Sequence, residues 1–98
     1  MPKPFECATG SYTGSGAAQT VILGFKPKMV MFWNSTDGDQ LSFYIDSMAD
    51  GTAISIKSLV AAVAANGVTG ISSGFSLGSD AAVNENLKAW KYLAVGGN

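Results

Sequence analysis

The residues best suited to chemistry are four aspartates in the middle of the sequence: Asp37, Asp39, Asp46 and Asp50. Two carboxylates that face each other across a cleft can hydrolyse a glycosidic bond. An Asp-x-Asp loop can also bind Ca²⁺, which prefers oxygen ligands. The usual Ca²⁺ loop needs a downstream glutamate that this sequence lacks at the required spacing, and Asp37-Gly38 is a typical turn pair. We interpret the aspartates as turn and surface residues, with ion binding and catalysis as alternatives.

Other catalytic arrangements lack essential residues. The chain has no histidine, which excludes His-based triads and His metal sites. Cys7 therefore has no histidine base, and we expect a packed thiol in a strand. The run Gly14-Ser15-Gly16 lacks the Lys-Ser/Thr of a phosphate-binding loop and predicts a flexible connection instead. We predict no catalytic, cofactor-binding or metal-binding residue and no enzymatic activity.

The composition points to contacts with other proteins. Of 98 residues, 47% are hydrophobic and 13% charged, whereas soluble domains average about 25% charged. The net charge is −1, and six scattered lysines with no arginine are too few for a nucleic-acid interface. The apolar run 59–65 is too short to span a membrane. A surface with so few charges predicts that neighbouring subunits cover part of it.

The pattern along the chain predicts an all-β fold. Short segments of alternating or apolar residues recur between Gly, Asn and Asp turns, at 5–9, 19–25, 29–33, 41–46, 53–57 and 89–95. This spacing is typical of an antiparallel β-sandwich, jelly-roll-like or small barrel-like. We predict that 29–33 and 41–45 form a hairpin, that Gly24 marks a bulge and that Pro27 starts a turn. In the last strand one face should carry Trp90, Tyr92 and Ala94, and the other Lys91, Leu93 and Val95. We expect one complete domain, 1–98, with an extended N-terminal arm at 1–4 that contains Pro2 and Pro4.

Two segments are harder to assign. Residues 58–65 are compatible with a helix but lie among strands, and we favour a strand. The following Asn66-Gly67 is either a helix cap or a hairpin turn. Residues 78–87 are polar and predict a loop.

The segment 29–33 carries the main functional expectation. It is apolar at every position, so both sides of this strand should be covered. We predict interface positions on this strand, on the arm and on nearby aromatic residues: Pro2, Pro4, Phe5, Tyr12, Met29, Met31, Trp33 and Tyr44. Trp33, Tyr44 and Tyr92 are also candidates for a surface strip that contacts a protein or stacks on a sugar.

Several motifs resemble a known family. Residues 10–16 read Gly-x-Tyr-Thr-Gly-x-Gly, and 19–28 contain Gln-Thr followed by three apolar residues and Gly-Phe-x-Pro-Lys. Together with 33–39, 74–86 and the closing strand, they resemble small all-β domains of bacteriophage virion structural proteins. In that pattern a glycine would follow Asn86, where this chain has Leu87.

The resemblance implies a function. A member of this size resembles a capsid decoration, or cement, protein that binds the major capsid protein and stabilises the head shell, often as a homotrimer. It would assemble in the host cytoplasm and reside on the capsid surface, without nucleic acid, membrane or cofactor as a partner. The alternative that the resemblance implies is a tail-tip or fibre domain that binds a host-surface glycan.

Overall fold

The computed structural model describes residues 6–38, 40–57 and 60–96. These residues form eight strands and one short helix. In chain order they are β1 (Glu6–Thr13), β2 (Gln19–Ile22), β3 (Pro27–Asn34), β4 (Leu41–Ile45), β5 (Thr52–Ile56), β6 (Val60–Ile71), β7 (Gly74–Leu77), α1 (Ala81–Asn84) and β8 (Ala89–Gly96). The predicted all-β class is confirmed.

The strands make one antiparallel sheet in the order β1-β8-β3-β4-β5-β6-β7-β2. The sheet curls into a nearly closed barrel with β1 and β2 at its two edges. The predicted hairpin of β3 and β4 is confirmed, with Met31 opposite Phe43 at its centre. Twisted antiparallel strands close in this way because the curled sheet buries one face completely.

The core lies on the inner side of the curled sheet. Alternate residues of each strand point there, since successive side chains in a strand lie on opposite faces. The fully buried large side chains include Trp90, Phe32, Phe75 and Leu77. The predicted division of the last strand is confirmed: Trp90, Tyr92 and Ala94 are buried, and the alternate residues lie outside. β4 buries Ser42 and Tyr44 and turns its more apolar side outward.

Strand β6 is longer than predicted because Asn66-Gly67 does not form a hairpin turn. Ala53 of β5 lies opposite Val63, but its neighbour Thr52 lies opposite Val68, so residues 64–67 bulge out of the register. Beyond the bulge β6 pairs with β7. Asn66 has a φ of 59°, and the strand continues through it. The strand interpretation of 58–65 is confirmed for 60–65, while 58 and 59 lie outside the described residues.

The polar segment 78–87, predicted as a loop, contains α1. The Asp80 side chain accepts a hydrogen bond from the Ala82 backbone N–H at 2.7 Å and caps this helix. Asn84 at its end is fully buried, and its amide joins four groups around the end of the barrel. Oδ1 accepts from the Ser15 N–H and Gln19 Nε2, and Nδ2 donates to the carbonyls of Ala17 and Gly78. The 14–18 connection, predicted to be flexible, is therefore fixed to α1.

The turn between β2 and β3 also differs from the sequence prediction. Strand β2 ends at Ile22 and does not continue to Phe25. Gly24 has a φ of 88° and lies in the connecting turn, although it was predicted to mark a bulge within the strand. Pro27 begins β3, although the sequence suggested the start of a turn. A proline is tolerated as the first residue of a strand because the ladder does not need its missing N–H there.

Candidate functional site

The candidate site is the outer side of strands β8, β3, β4 and β5. The register places apolar side chains next to one another across these strands. One row runs through Val95, Met29 and Ile45. We call the whole surface the apolar outer face; it comprises Met29, Met31, Trp33, Leu41, Phe43, Ile45, Ile54, Ile56, Leu93 and Val95.

The apolar outer face is open to solvent. Trp33 is 37% exposed and Ile45 is 39% exposed, and the other members are partly buried by their neighbours in the sheet. The packed core lies on the opposite side of the same strands. The expectation that 29–33 is covered on both sides therefore holds for the inner side alone in the described chain. An uncovered sheet face of this kind is what a protein partner would bury.

Polar groups border one corner of the apolar outer face. A shallow depression of ≈ 620 Å³ lies over β1, β8 and β3. Its lining combines an indole, an ammonium group, two hydroxyls and apolar side chains, and includes Trp33, Lys91, Thr9, Ser11, Met31 and Leu93. Lys91 lies directly opposite Trp33 in the sheet register and is exposed. This corner can donate and accept hydrogen bonds while Trp33 offers a flat apolar surface.

The predicted interface residues separate into three groups. Met29, Met31 and Trp33 lie on the apolar outer face. Tyr44, which is 2% exposed, and Tyr12 both point to the inner side of the sheet, so they are not available to a partner. Pro2, Pro4 and Phe5 lie outside the described residues.

Tyr12 points inward from β1. Its hydroxyl donates to the backbone carbonyl of Val83 at 2.6 Å, and its ring stacks beside Trp90 with the ring centres 6.1 Å apart. Burial raises the pKa of the Tyr12 phenol well above its ordinary value, because a phenolate would lose its hydration. Tyr12 is therefore a structural residue that joins β1 to α1.

The predicted aromatic strip does not form. Tyr44 and Tyr92 are buried on the inner side of the sheet, whereas Trp33 is on the outer side. The sequence interpretation missed Phe43 and Leu93 as surface residues. The alternation in β4 indicates an apolar face that includes Phe43, because Leu41, Phe43 and Ile45 share one side of the strand with no charged residue between them.

The aspartates and the cysteine that the sequence offered for chemistry occupy turn or surface positions where the structure describes them. Asp37 binds within its own turn, where Oδ2 accepts from Asn34 Nδ2 and Oδ1 lies 3.2 Å from the Lys88 ammonium. Asp39 lies outside the described residues. Within residues 6–38, 40–57 and 60–96, no three His, Cys, Asp or Glu side chains come together as a metal site. Cys7 is exposed on β1, which corrects the expectation of a packed thiol.

Comparison of the chain with protein-family models, curated proteins and solved structures gave no match. Among the described residues, no helix is both long enough and apolar enough to cross a membrane.

Proposed function

We propose that this chain is a structural protein of a bacteriophage virion that decorates the capsid and stabilises the head shell through protein contacts. The observation that carries the proposal is the apolar outer face, an uncovered sheet surface centred on Met31 and Phe43. Its residues have no role in the core of the chain, because the core is complete on the other side of the strands. Contact with another protein would give the residues of the apolar outer face a role.

The size of the apolar outer face is compatible with this role. Four strands about 4.8 Å apart, with rows of side chains about 7 Å apart, give a surface on the order of 400 Å². The largest apolar patch on an ordinary monomer is about 300–600 Å², and such patches are often functional. A standard protein interface buries about 800 Å² on each partner, so this face would supply its apolar centre.

The resemblance of residues 10–16, 19–28 and 74–86 to phage virion domains supports the choice of partner. On this proposal the chain binds the major capsid protein and other copies of itself. Its location is the capsid surface, after assembly in the host cytoplasm. The low charge of the chain also favours a role in which apolar contacts, rather than attraction to nucleic acid, provide the affinity.

A substitution at the centre of the apolar outer face tests the proposal. Met31→Glu places an unpaired carboxylate in the buried contact, and we expect binding to head shells that lack the protein to weaken at least tenfold. Thr20→Glu, at an exposed position of β2 outside the apolar outer face, is the matched control and should bind like the wild type. Occupancy is measured by cosedimentation with the shells. Equal binding by Met31→Glu and the control, with both variants folded, would refute the proposal.

A tail-tip or fibre domain that binds a host glycan is the second candidate. The observation that favours it is the depression beside Trp33, where Lys91, Thr9 and Ser11 surround an exposed indole. Copy number in purified virions separates the two functions. Hundreds of copies on the head support decoration, whereas a few copies at the tail support glycan binding and exclude decoration.

A further inference from the structure

Strand β1 forms an unusually regular edge of the sheet. It pairs with β8 over all eight of its residues with no shift in register, from Glu6 opposite Gly96 to Thr13 opposite Ala89. On its other side, no strand of the described chain pairs with it. The edge strand β2, at the opposite end of the sheet, is half as long.

The hydrogen-bond pattern shows which backbone groups of β1 point outward. The Gly14 N–H donates to the Lys88 carbonyl at 2.8 Å, one step beyond the pair of Thr13 and Ala89. Antiparallel strands alternate bonded and non-bonded pairs, so the even-numbered residues of β1 bond to β8. The Thr13 carbonyl agrees with this pattern, because it accepts a hydrogen bond from Gln19 Nε2 on the other side. The N–H and C=O groups that point away from β8 are therefore those of Cys7, Thr9, Ser11 and Thr13, and of these the Thr13 carbonyl is already bonded to Gln19.

This edge lacks the features by which edge strands usually avoid pairing. Its sequence, ECATGSYT, contains no proline and no lysine, and Glu6 at its start is its one charged residue. Edge strands are normally protected by such residues, by bulges or by a covering element. Cys7, Thr9, Gly10 and Ser11 are all exposed. A second extended strand can therefore reach the outward-pointing groups.

We propose that β1 pairs with β1 of a second copy of this chain, antiparallel, with Thr9 on the two-fold axis. Thr9 then lies opposite Thr9 of the second copy, and Cys7 lies opposite its Ser11. These three pairs would make about six backbone hydrogen bonds, two for each pair. The opposed side chains are small and uncharged, and Glu6 falls opposite Tyr12 of the other copy, so no like charges meet. This self-complementarity favours a second copy over an unrelated strand.

The inference goes beyond the proposed function, because it concerns contact between copies and not the partner of the apolar outer face. In the paired sheets β1, β8 and β3 of both copies lie side by side, and the two apolar outer faces become neighbours in one surface. A two-fold contact also gives a dimer, whereas the family resemblance implies a trimer. A single strand pair is a small interface, so we expect a dissociation constant in the micromolar range or weaker.

Proline substitutions at the two edges test the contact. Thr9→Pro removes an N–H that points away from β8, so the ladder within the chain stays intact while the new pairing loses its central bonds. Thr20→Pro is the matched control on β2: the Leu23 N–H bonds to the Ser73 carbonyl, and by alternation the Thr20 N–H points away from β7. Sedimentation equilibrium should show a dimer for the wild type and Thr20→Pro, and at least a tenfold higher dissociation constant for Thr9→Pro.

A cysteine pair gives a second measurement that does not depend on the proline variants folding. In the proposed register the two Thr9 Cα atoms are about 5.5 Å apart, within the range of a disulfide. Cys7→Ser/Thr9→Cys should form a covalent dimer on oxidation, and Cys7→Ser/Thr20→Cys should not. A wild type that stays monomeric at high concentration, or equal cross-linking of both variants, overturns the inference. Shell binding by such a monomer would leave the proposed function intact.

Discussion

At the scale of single residues, Leu87 is the clearest conflict between side chain and backbone. It has a φ of 66°, in the left-handed region that a residue with a Cβ rarely occupies. Its N–H donates to the Gly14 carbonyl at 2.9 Å, which holds the turn before β8 in this conformation. The side chain is 81% exposed, so packing does not offset the strain. Glycine suits a backbone of this shape, because it has no Cβ and adopts a positive φ readily.

We therefore expect Leu87→Gly to stabilise the fold. Removal of the left-handed strain gains about 1–2 kcal/mol, and the greater freedom of glycine in the unfolded chain takes back about 0.5–1 kcal/mol. Urea unfolding should show a net gain of about 0–1.5 kcal/mol by this balance. Leu87→Ala keeps the Cβ and should match the wild type. A loss of stability in Leu87→Gly would show that the turn is unstrained.

At the scale of elements, the short helix α1 depends on bonds to the sheet for its position. One turn of helix is unstable alone. Tyr12 of β1 donates to its Val83 carbonyl, and Ser42 of β4 donates to its Ala82 carbonyl at 2.7 Å. Asn84 adds the connections to Gln19 of β2 and to the 14–18 segment. Three strands and a loop thus bind the backbone and the last side chain of α1. These bonds hold the helix across one end of the barrel.

The raised pKa of Tyr12 makes this closure sensitive to alkaline pH. The pKa of Tyr12 in the folded state lies above its unfolded value of about 10. The contribution of the neutral phenol to the free energy of unfolding is therefore complete below pH 10 and is lost as the pH rises further. At pH 8, Tyr12→Phe should cost about 1–2 kcal/mol, because the Val83 carbonyl loses its partner. Chemical unfolding at pH 8 and pH 11 measures the difference in unfolding free energy between wild type and Tyr12→Phe, which should be about 1 kcal/mol smaller at pH 11.

The comparison of wild type with Tyr12→Phe also removes the effects of pH on all other groups, because those groups are identical in the two proteins. A difference between wild type and Tyr12→Phe that stays constant across this pH range would contradict the role assigned to the phenol.

At the scale of the whole molecule, the distribution of apolar residues is the main feature. The inner sides of β3, β4, β5 and β8 contribute to the core, and the outer sides of the same strands form the apolar outer face. The chain carries a net charge of −1, and Lys91 is the charged neighbour of Trp33 in the register. Affinity for the proposed partner at this surface should therefore come chiefly from apolar burial, about 25 cal/mol per Å².

The apolar character of this surface predicts an unusual dependence of binding on the salt concentration. If the chain binds head shells as proposed, this binding should change less than twofold between low salt and 1 M NaCl, where electrostatic contacts are screened within about 3 Å. Sulfate should strengthen it, because excluded salts favour the burial of apolar surface. Cosedimentation across both salts measures the effect. A tenfold loss of binding in 1 M NaCl would assign the contact to charged residues outside the apolar outer face.

The sequence by itself determined the fold class, most strand positions and the apolar character of 29–33 on both faces. These follow from local rules: the alternation of side chains and the turn residues at strand ends. Single positions such as Trp90 and Tyr92 could be assigned to one face for the same reason.

The tertiary structure decided which face became the core. Local alternation in β4 separates Leu41, Phe43 and Ile45 from Ser42 and Tyr44, but it does not say which set lies inside. The closed sheet placed the second set inward, because β4 must align with the inner residues of β3 on one side and β5 on the other. The bulge of β6, the bonds of Asn84 and the unpaired edge of β1 likewise depend on partners distant in sequence, which no local pattern specifies.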